Sequence, residues 1–246
     1  MNNQSNSLLS KELAKRVSNR EPVPPDVDYA DVPIPDSMLE YLEKYLAAGE
    51  THYTPRPGIP ELRSTIANKL HESGAPKRGA DSVIVTHGEG EALFVTLLGL
   101  GFKDGTTVVV DGECRHRRLL DLLNASVVPL GAAMTGNAIA VYRELDSPAK
   151  FGTRGDTNKR PTIVALGTSL FADRWRQHDS CSLGAAVVTI GDFNALDGLD
   201  HFRMGFVAGP PDTVKRIQTW KQAFSICSAG PSQRAALFAL EGEAAS

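Results

Sequence analysis

The chain has 246 residues, of which 41% are hydrophobic and 22% charged, with a formal net charge of -3. This length can bury a sizeable core. So even a charge balance gives no bulk attraction to nucleic acid or to a membrane surface. No apolar run approaches bilayer length, and the polar start MNNQSNS is not a secretory signal. A cytoplasmic protein is therefore expected, with Cys114, Cys181 and Cys227 as free thiols and no metal site.

In chain order, residues 1–36 read as a polar, proline-rich arm with one helical stretch, Leu8–Val17, and residues 37–246 as the domain. The run Glu21-Pro22-Val23-Pro24-Pro25 excludes regular helix and central strand. Ser37–Ala48 and Ile59–Ser73 have helical periodicity, with Pro60 in a first turn and Gly74 just past an end. Short β-branched runs then alternate with helices. Val83–Thr86 precedes helix Gly90–Gly99, and Thr107–Asp111 precedes helix Arg117–Leu123. The remaining predicted strands are Ser126–Leu130, Ala138–Tyr142, Thr162–Leu166, Ala186–Ile190 and Met204–Ala208. Helices Pro211–Phe224 and Pro231–Glu241 close the chain. The first strands are apolar throughout, as they are when helices cover both faces of a parallel sheet. The pattern predicts a three-layer α/β domain around a mostly parallel, seven-stranded sheet. Ligands in such folds bind beyond the carboxyl ends of the strands. Attention therefore falls on His87–Gly90, Gly112–Arg117, Asp146–Pro148, Gly167–Phe171 and Gly191–Arg203.

Three stretches carry a resemblance: HYTPRPGIPELRSTIANKL (52–70), VIVTHGEGEALFVTLLGL (83–100), and GDFNALDGLDHFRMGF (191–206) with the VAGPP that follows it. Together they resemble the large domain of the class I/II aminotransferases, the fold-type I enzymes that use pyridoxal phosphate (PLP). The first is similar to the family's Tyr-Thr-Pro-x-x-Gly-x-x-Glu-Leu-Arg segment. The second is similar to its strand, glycine turn and Glu-Ala-Leu helix. The third is similar to its Ser-Phe-Ser-Lys loop. The resemblance spans roughly residues 37–242. Family chains are longer, and the C-terminal small domain is expected to be missing here.

The resemblance implies a role for each matched residue. Ala195 stands where the family has the lysine that forms an imine with PLP, and no lysine lies between Lys159 and Lys215. Alanine cannot form that bond. Thr168 and Phe171 match the Asp and Tyr that hold the pyridine ring, and Ser147 matches an Asn before a proline. Arg203 matches the arginine on the cofactor phosphate, and Tyr53 a tyrosine that reaches a phosphate across a dimer interface. Gly88 and the start of the following helix offer backbone N–H groups to an anion. Asp192 replaces a serine of the phosphate cup, and Glu89 sits at the helix entrance. Either carboxylate repels a phosphate, and either can pair with Arg203.

These substitutions lead to an expectation of a repurposed enzyme in specialised biosynthesis that neither binds PLP covalently nor transaminates. Its ligand is expected to be a small anionic metabolite. Asp192, Glu89 or His87 would supply acid–base chemistry. Arg203, Tyr53, Gly88, Asn194, Cys114 and Thr168 would bind the ligand. No cofactor is expected, with PLP admitted only noncovalently. A non-catalytic pseudoenzyme, partnering another enzyme, is the alternative. The family also implies a homodimer.

Several of these residues have plainer readings. Glu89 and Glu91 suit a helix first turn. Arg115-His116-Arg117-Arg118 suits a solvated helix face. Asp197, Asp200 and His201 suit a glycine-containing turn. Cys114 beside Arg115 and His116 is placed where its pKa could fall.

Overall fold

The computed structural model describes residues 34–49, 52–131, 138–145, 160–167, 186–194, 196, 198–199 and 202–242. The arm helix Leu8–Val17 and the positions Ser147, Thr168, Phe171, Cys181, Ala195, Asp197, Asp200 and His201 lie outside the described residues.

Two helices come first, α1 (Asp36–Ala47) and α2 (Pro60–Glu72). Proline begins α2 because its missing N–H has no intrahelical partner there. Gly74, at φ +102°, lets the chain turn away after it. Then follow β1 (Val83–Thr86), α3 (Gly88–Gly99), β2 (Thr107–Asp111), α4 (Arg117–Leu122) and β3 (Ser126–Pro129). Next are β4 (Ala138–Glu144), β5 (Thr162–Ala165), β6 (Val187–Asp192) and β7 (Gly205–Ala208). Helices α5 (Pro211–Ser225) and α6 (Gly230–Gly242) complete the described chain.

All seven strands join one sheet in the order β1-β7-β6-β5-β4-β2-β3. The pairs β6–β5, β5–β4, β4–β2 and β2–β3 are parallel. Strand β7 runs antiparallel to both neighbours, with Val83 opposite Ala208 and Asp192 opposite Gly205. The α/β expectation of a mostly parallel, seven-stranded sheet is met.

Alternation along each strand builds the layers. Val83, Val85, Val164, Val187, Phe206 and Ala208 face a core shared with α1, α2 and α6. Ile84, Val108, Val110, Ile163, Ile190 and Val207 face the opposite core, shared with α3, α4 and α5. A period of two thus sends neighbours to different cores, and both cores are apolar. Each fully buried Val, Ile, Leu or Phe contributes about 1.5–3 kcal/mol of transfer free energy. Helices α3 and α5 touch at Gly99, where an added Cβ would lie 2.5 Å from Ile217.

The structure moves some predicted boundaries. Helix α3 begins at Gly88 rather than Gly90, because the Glu91 carboxylate reaches back to the His87 N–H at 2.6 Å and closes the first turn. Strands β4 and β6 run two residues further, to Glu144 and Asp192. Ladder bonds to β5 and β7 hold those residues despite their charge.

Candidate functional site

The carboxyl ends of β1, β2, β4, β5 and β6 open on one edge of the sheet. Because β7 is reversed, its beginning lies on that edge too, which is why Arg203 arrives there. Gly205 makes this possible. A Cβ on it would meet the Gly88 carbonyl carbon at 2.6 Å and the Gly191 oxygen at 2.7 Å. Backbone thus packs on backbone, and the start of α3 sits against the end of the β6–β7 pair.

At this edge Glu89 is buried, 2% exposed, in the first turn of α3. Its Oε1 lies 2.7 Å from His116 Nε2 and 3.8 Å from Arg115 Nε. Its Oε2 accepts the Gly167 N–H at 3.4 Å. Arg115 also binds Glu144, through its backbone N–H at 2.5 Å and through Nη2 at 3.3 Å. Tyr142 donates its hydroxyl to the same carboxylate at 3.1 Å and meets the His116 ring edge-on. The loop after β2 is therefore pinned to α3, β4 and the turn after β5. Although burial opposes it, the Glu89 and Glu144 carboxylates raise the Arg115 pKa. Burial, with the Glu144 and Glu89 charges, pushes the Tyr142 phenol up, so it stays a donor.

Asp192 closes β6. Burial and the nearby Glu89 charge raise its carboxyl pKa. The Asn194 N–H, at 3.2 Å, and the charges of Arg115 and His116 oppose this. Asn194 also turns its amide toward Oδ2, at 3.4 Å.

Arg203 differs from its expectation. It is exposed, has a positive φ of 47°, and makes no hydrogen bond or ion pair with another described residue. Neither Glu89 nor Asp192 pairs with it, because Glu89 is taken by His116 and Arg115, and Asp192 by Asn194. The solvated-face reading of residues 115–118 also divides. Arg115 and His116 turn inward, whereas Arg117 pairs with Asp121 on the surface at 2.8 Å. At Cys114 burial raises the pKa, outweighing the bonds from the His116 backbone and Tyr142 and the Arg117 charge, so the flanking cations do not lower it.

Tyr53 and His87 belong to a neighbouring place. With His52, Thr54, Ser225 and Cys227 they line an open cavity of about 720 Å³ beside the start of α3. Behind its wall Lys221, fully buried, donates to Ser225 at 3.1 Å. Ser225 donates in turn to Glu91 at 2.5 Å, whose other oxygen takes the His87 N–H and ring. Burial lowers the Lys221 pKa, while the Glu91 charge opposes that shift. The helix-capping reading of Glu91 is the one the structure realises, extended across to α5. Lys221 was legible in part, since Val214, Ile217 and Lys221 share one helical stripe. Glu144 was missed because its strand was ended too early.

Burial pushes the Glu91 carboxyl up, but bonds from His87 and Ser225 outweigh it and hold the group at about 2, below its ordinary 4.5. A depressed carboxylate stabilises the fold above its unfolded pKa and loses that stability as pH falls through the folded one. Glu91→Gln should therefore cost about 2 kcal/mol at pH 7 and flatten the stability curve between pH ~4.5 and ~2. Urea melts across that range check this.

No family model matches the chain. Aromatic-amino-acid aminotransferase 2 of Thermococcus litoralis is 23% identical over 254 aligned positions, covering 87% of this chain and 63% of that protein. The probable aspartate aminotransferase of Methanocaldococcus jannaschii is 40% identical over 70 residues, covering 28% and 19%. The chain thus spans less than two thirds of the length of these relatives. Among solved structures, Thermus thermophilus aspartate aminotransferase with maleate superposes at a TM-score of 0.70, with 18% identity. That match covers all of this chain and 72% of the other. Aspartate aminotransferase from Thermotoga maritima gives 0.70 at 20% identity, covering 96% and 71%. The fold is that of an aminotransferase large domain.

The aminotransferase-like chain corrects two expectations. A repurposed or non-catalytic protein, and one that takes no cofactor, are both overturned by relatives that match 87% of the chain and are named as aminotransferases. The reading of lost machinery rested on Thr168, Phe171 and Ala195, matched residue by residue. An identity of 23% over most of the chain does not secure that register, and the three positions lie outside the described residues. The phosphate end of PLP fits the residues described. A Cβ built on Gly88 or Gly90 meets nothing within 4 Å, so there is open space beside the α3 start, whose first N–H groups have no intrahelical partner. Arg203, an exposed residue, precedes β7 at the same edge. No helix among the described residues is long and apolar enough to cross a membrane.

Proposed function

We propose that this chain is the cofactor-binding large domain of an aminotransferase-like enzyme, and that the group it binds is PLP. The observation that carries the reading is the open start of α3 facing the same sheet edge as Arg203. The N–H groups of the first helical turn and the Arg203 guanidinium would hold the phosphate. PLP supplies the electron sink that amino-group transfer needs. Asp192 and Asn194 border the cup, and the Glu89–His116–Arg115 cluster forms its wall. The substrates are read as α-amino acids, after relatives named for aspartate and for aromatic amino acids. The working form is read as a cytoplasmic homodimer. In support, Tyr53 is 86% exposed on the rim of the open cavity, where a second copy would cover it.

Titration with PLP, followed by absorbance and thermal shift, tests this. Saturable binding that survives dialysis is expected, and pyridoxal without its phosphate should bind far more weakly. Arg203→Ala should weaken PLP about tenfold or more, the worth of one charged hydrogen bond. Absence of saturable binding, or equal affinity in the variant, overturns the reading.

A further inference from the structure

We infer that the buried Lys221 is a positioning residue of the anion site at the start of α3: by neutralising Glu91 it lets a phosphate approach the first-turn N–H groups. The inference rests on the proposed PLP site and names the charge balance that opens that site to a phosphate.

A helix start attracts an anion, yet the first turn of α3 already carries two carboxylates, Glu89 and Glu91. The Glu91 carboxylate accepts the His87 N–H at 2.6 Å, and His87 is the residue just before Gly88. Its charge therefore stands within about one helical turn, roughly 5 Å, of the N–H groups proposed for the phosphate. The Glu91 side chain is 7% exposed and its carboxyl is held at about 2, so it is ionised at neutral pH. Left unbalanced, it repels a phosphate from a place where water screens little.

Each carboxylate has a cation. Arg115 Nε stands 3.8 Å from Glu89. Lys221 reaches Glu91 through one hydroxyl: its Nζ donates to Ser225 Oγ at 3.1 Å, and Ser225 donates to Glu91 Oε1 at 2.5 Å. An ammonium only donates and a carboxylate only accepts, so the hydroxyl between them is polarised in one direction. Lysine is almost never fully buried unless it is paired, and Lys221 is fully buried. The titratable groups facing it are Glu91 from α3 and Cys227 from the turn after α5. Those facing Glu91 are His87 and Lys221. Burial disfavours the ammonium, and the Glu91 charge favours it. The chain Lys221–Ser225–Glu91–His87 thus carries a positive charge from α5 to the α3 start and cancels there the carboxylate that opposes a phosphate.

The test compares PLP, pyridoxal and inorganic phosphate on the full chain. Absorbance follows PLP and pyridoxal, and competition with PLP follows phosphate. Lys221→Met is expected to weaken PLP and phosphate about tenfold and to leave pyridoxal within about twofold, because only the phosphate meets the unbalanced Glu91. Removing both charges, in Lys221→Met combined with Glu91→Gln, is expected to return PLP to within about threefold of wild type. Should Lys221→Met fold poorly, Lys221→Gln keeps a donor for Ser225 without the charge and is expected to show the same selective loss. A merely structural role predicts equal losses for the three ligands and no rescue by Glu91→Gln. Unchanged PLP affinity in the folded lysine variant overturns the inference. So does a loss that pyridoxal shares equally, or a double variant as weak as the single one. Failure of the wild type to bind PLP instead overturns the proposed function on which it rests.

Discussion

Gly205→Ala is expected to destabilise the domain by about 3 kcal/mol or more, at the upper end of single-residue effects. The added methyl has no flexible side chain to displace. It meets the Gly88 backbone at 2.6 and 2.8 Å and the Gly191 carbonyl oxygen at 2.7 Å. Relief requires either parting β6 from β7 or pushing the start of α3 outward. The first breaks a ladder in the middle of the sheet, and the second moves the N–H groups that face the proposed phosphate. Affinity for PLP should therefore fall even in whatever fraction stays folded. Gly90→Ala is the control. Its Cβ meets nothing within 4 Å and its φ is not positive, so alanine should gain about 0.5–1 kcal/mol of helix stability. Urea denaturation of the two variants side by side separates a clash from a general intolerance of change in this turn. Equal stability of Gly205→Ala and wild type would remove the backbone contact from the account.

Glu89→Ala is the second large effect, a loss of about 2–3 kcal/mol. The carboxylate is 2% exposed and joins His116, Arg115 and the Gly167 N–H, so its removal leaves a guanidinium, an imidazole and a backbone donor without their acceptor. The cost stays below that of a fully buried pair because His116 and Arg115, 18% and 32% exposed, regain water. A double-mutant cycle with His116→Ala should return a coupling of about 1 kcal/mol or more. Additive losses would mean that Glu89 and His116 stand near each other without supporting each other.

Most of the architecture was legible because it rests on local rules. Continuous apolar, β-branched runs in VIVT, TVVV and TIVA mark strands buried on both faces, and Pro60 and Gly74 punctuate a helix. The site was legible only in part. Position relative to strand ends selected Glu89, Asp192 and Arg203, and the sheet order places the three at one edge. What each carboxylate binds was misread. The candidate pairing of Glu89 and Asp192 with Arg203 rested on complementary charge, yet His116 and Asn194 reach those carboxylates first.

By itself the sequence determined the alternation of strands and helices, the three layers and the edge at which chemistry is to be sought. These follow from periodicity and turn chemistry, which act over a few residues. Only the tertiary structure decided that β7 is reversed and so delivers Arg203 to that edge, and that Gly205 lies on Gly88. It alone set Glu89 against His116, 27 residues away, and Glu91 against Ser225, 134 residues away. Such pairings are set by which loops the sheet order brings together, and strand order is a long-range property of packing rather than of any local run of residues.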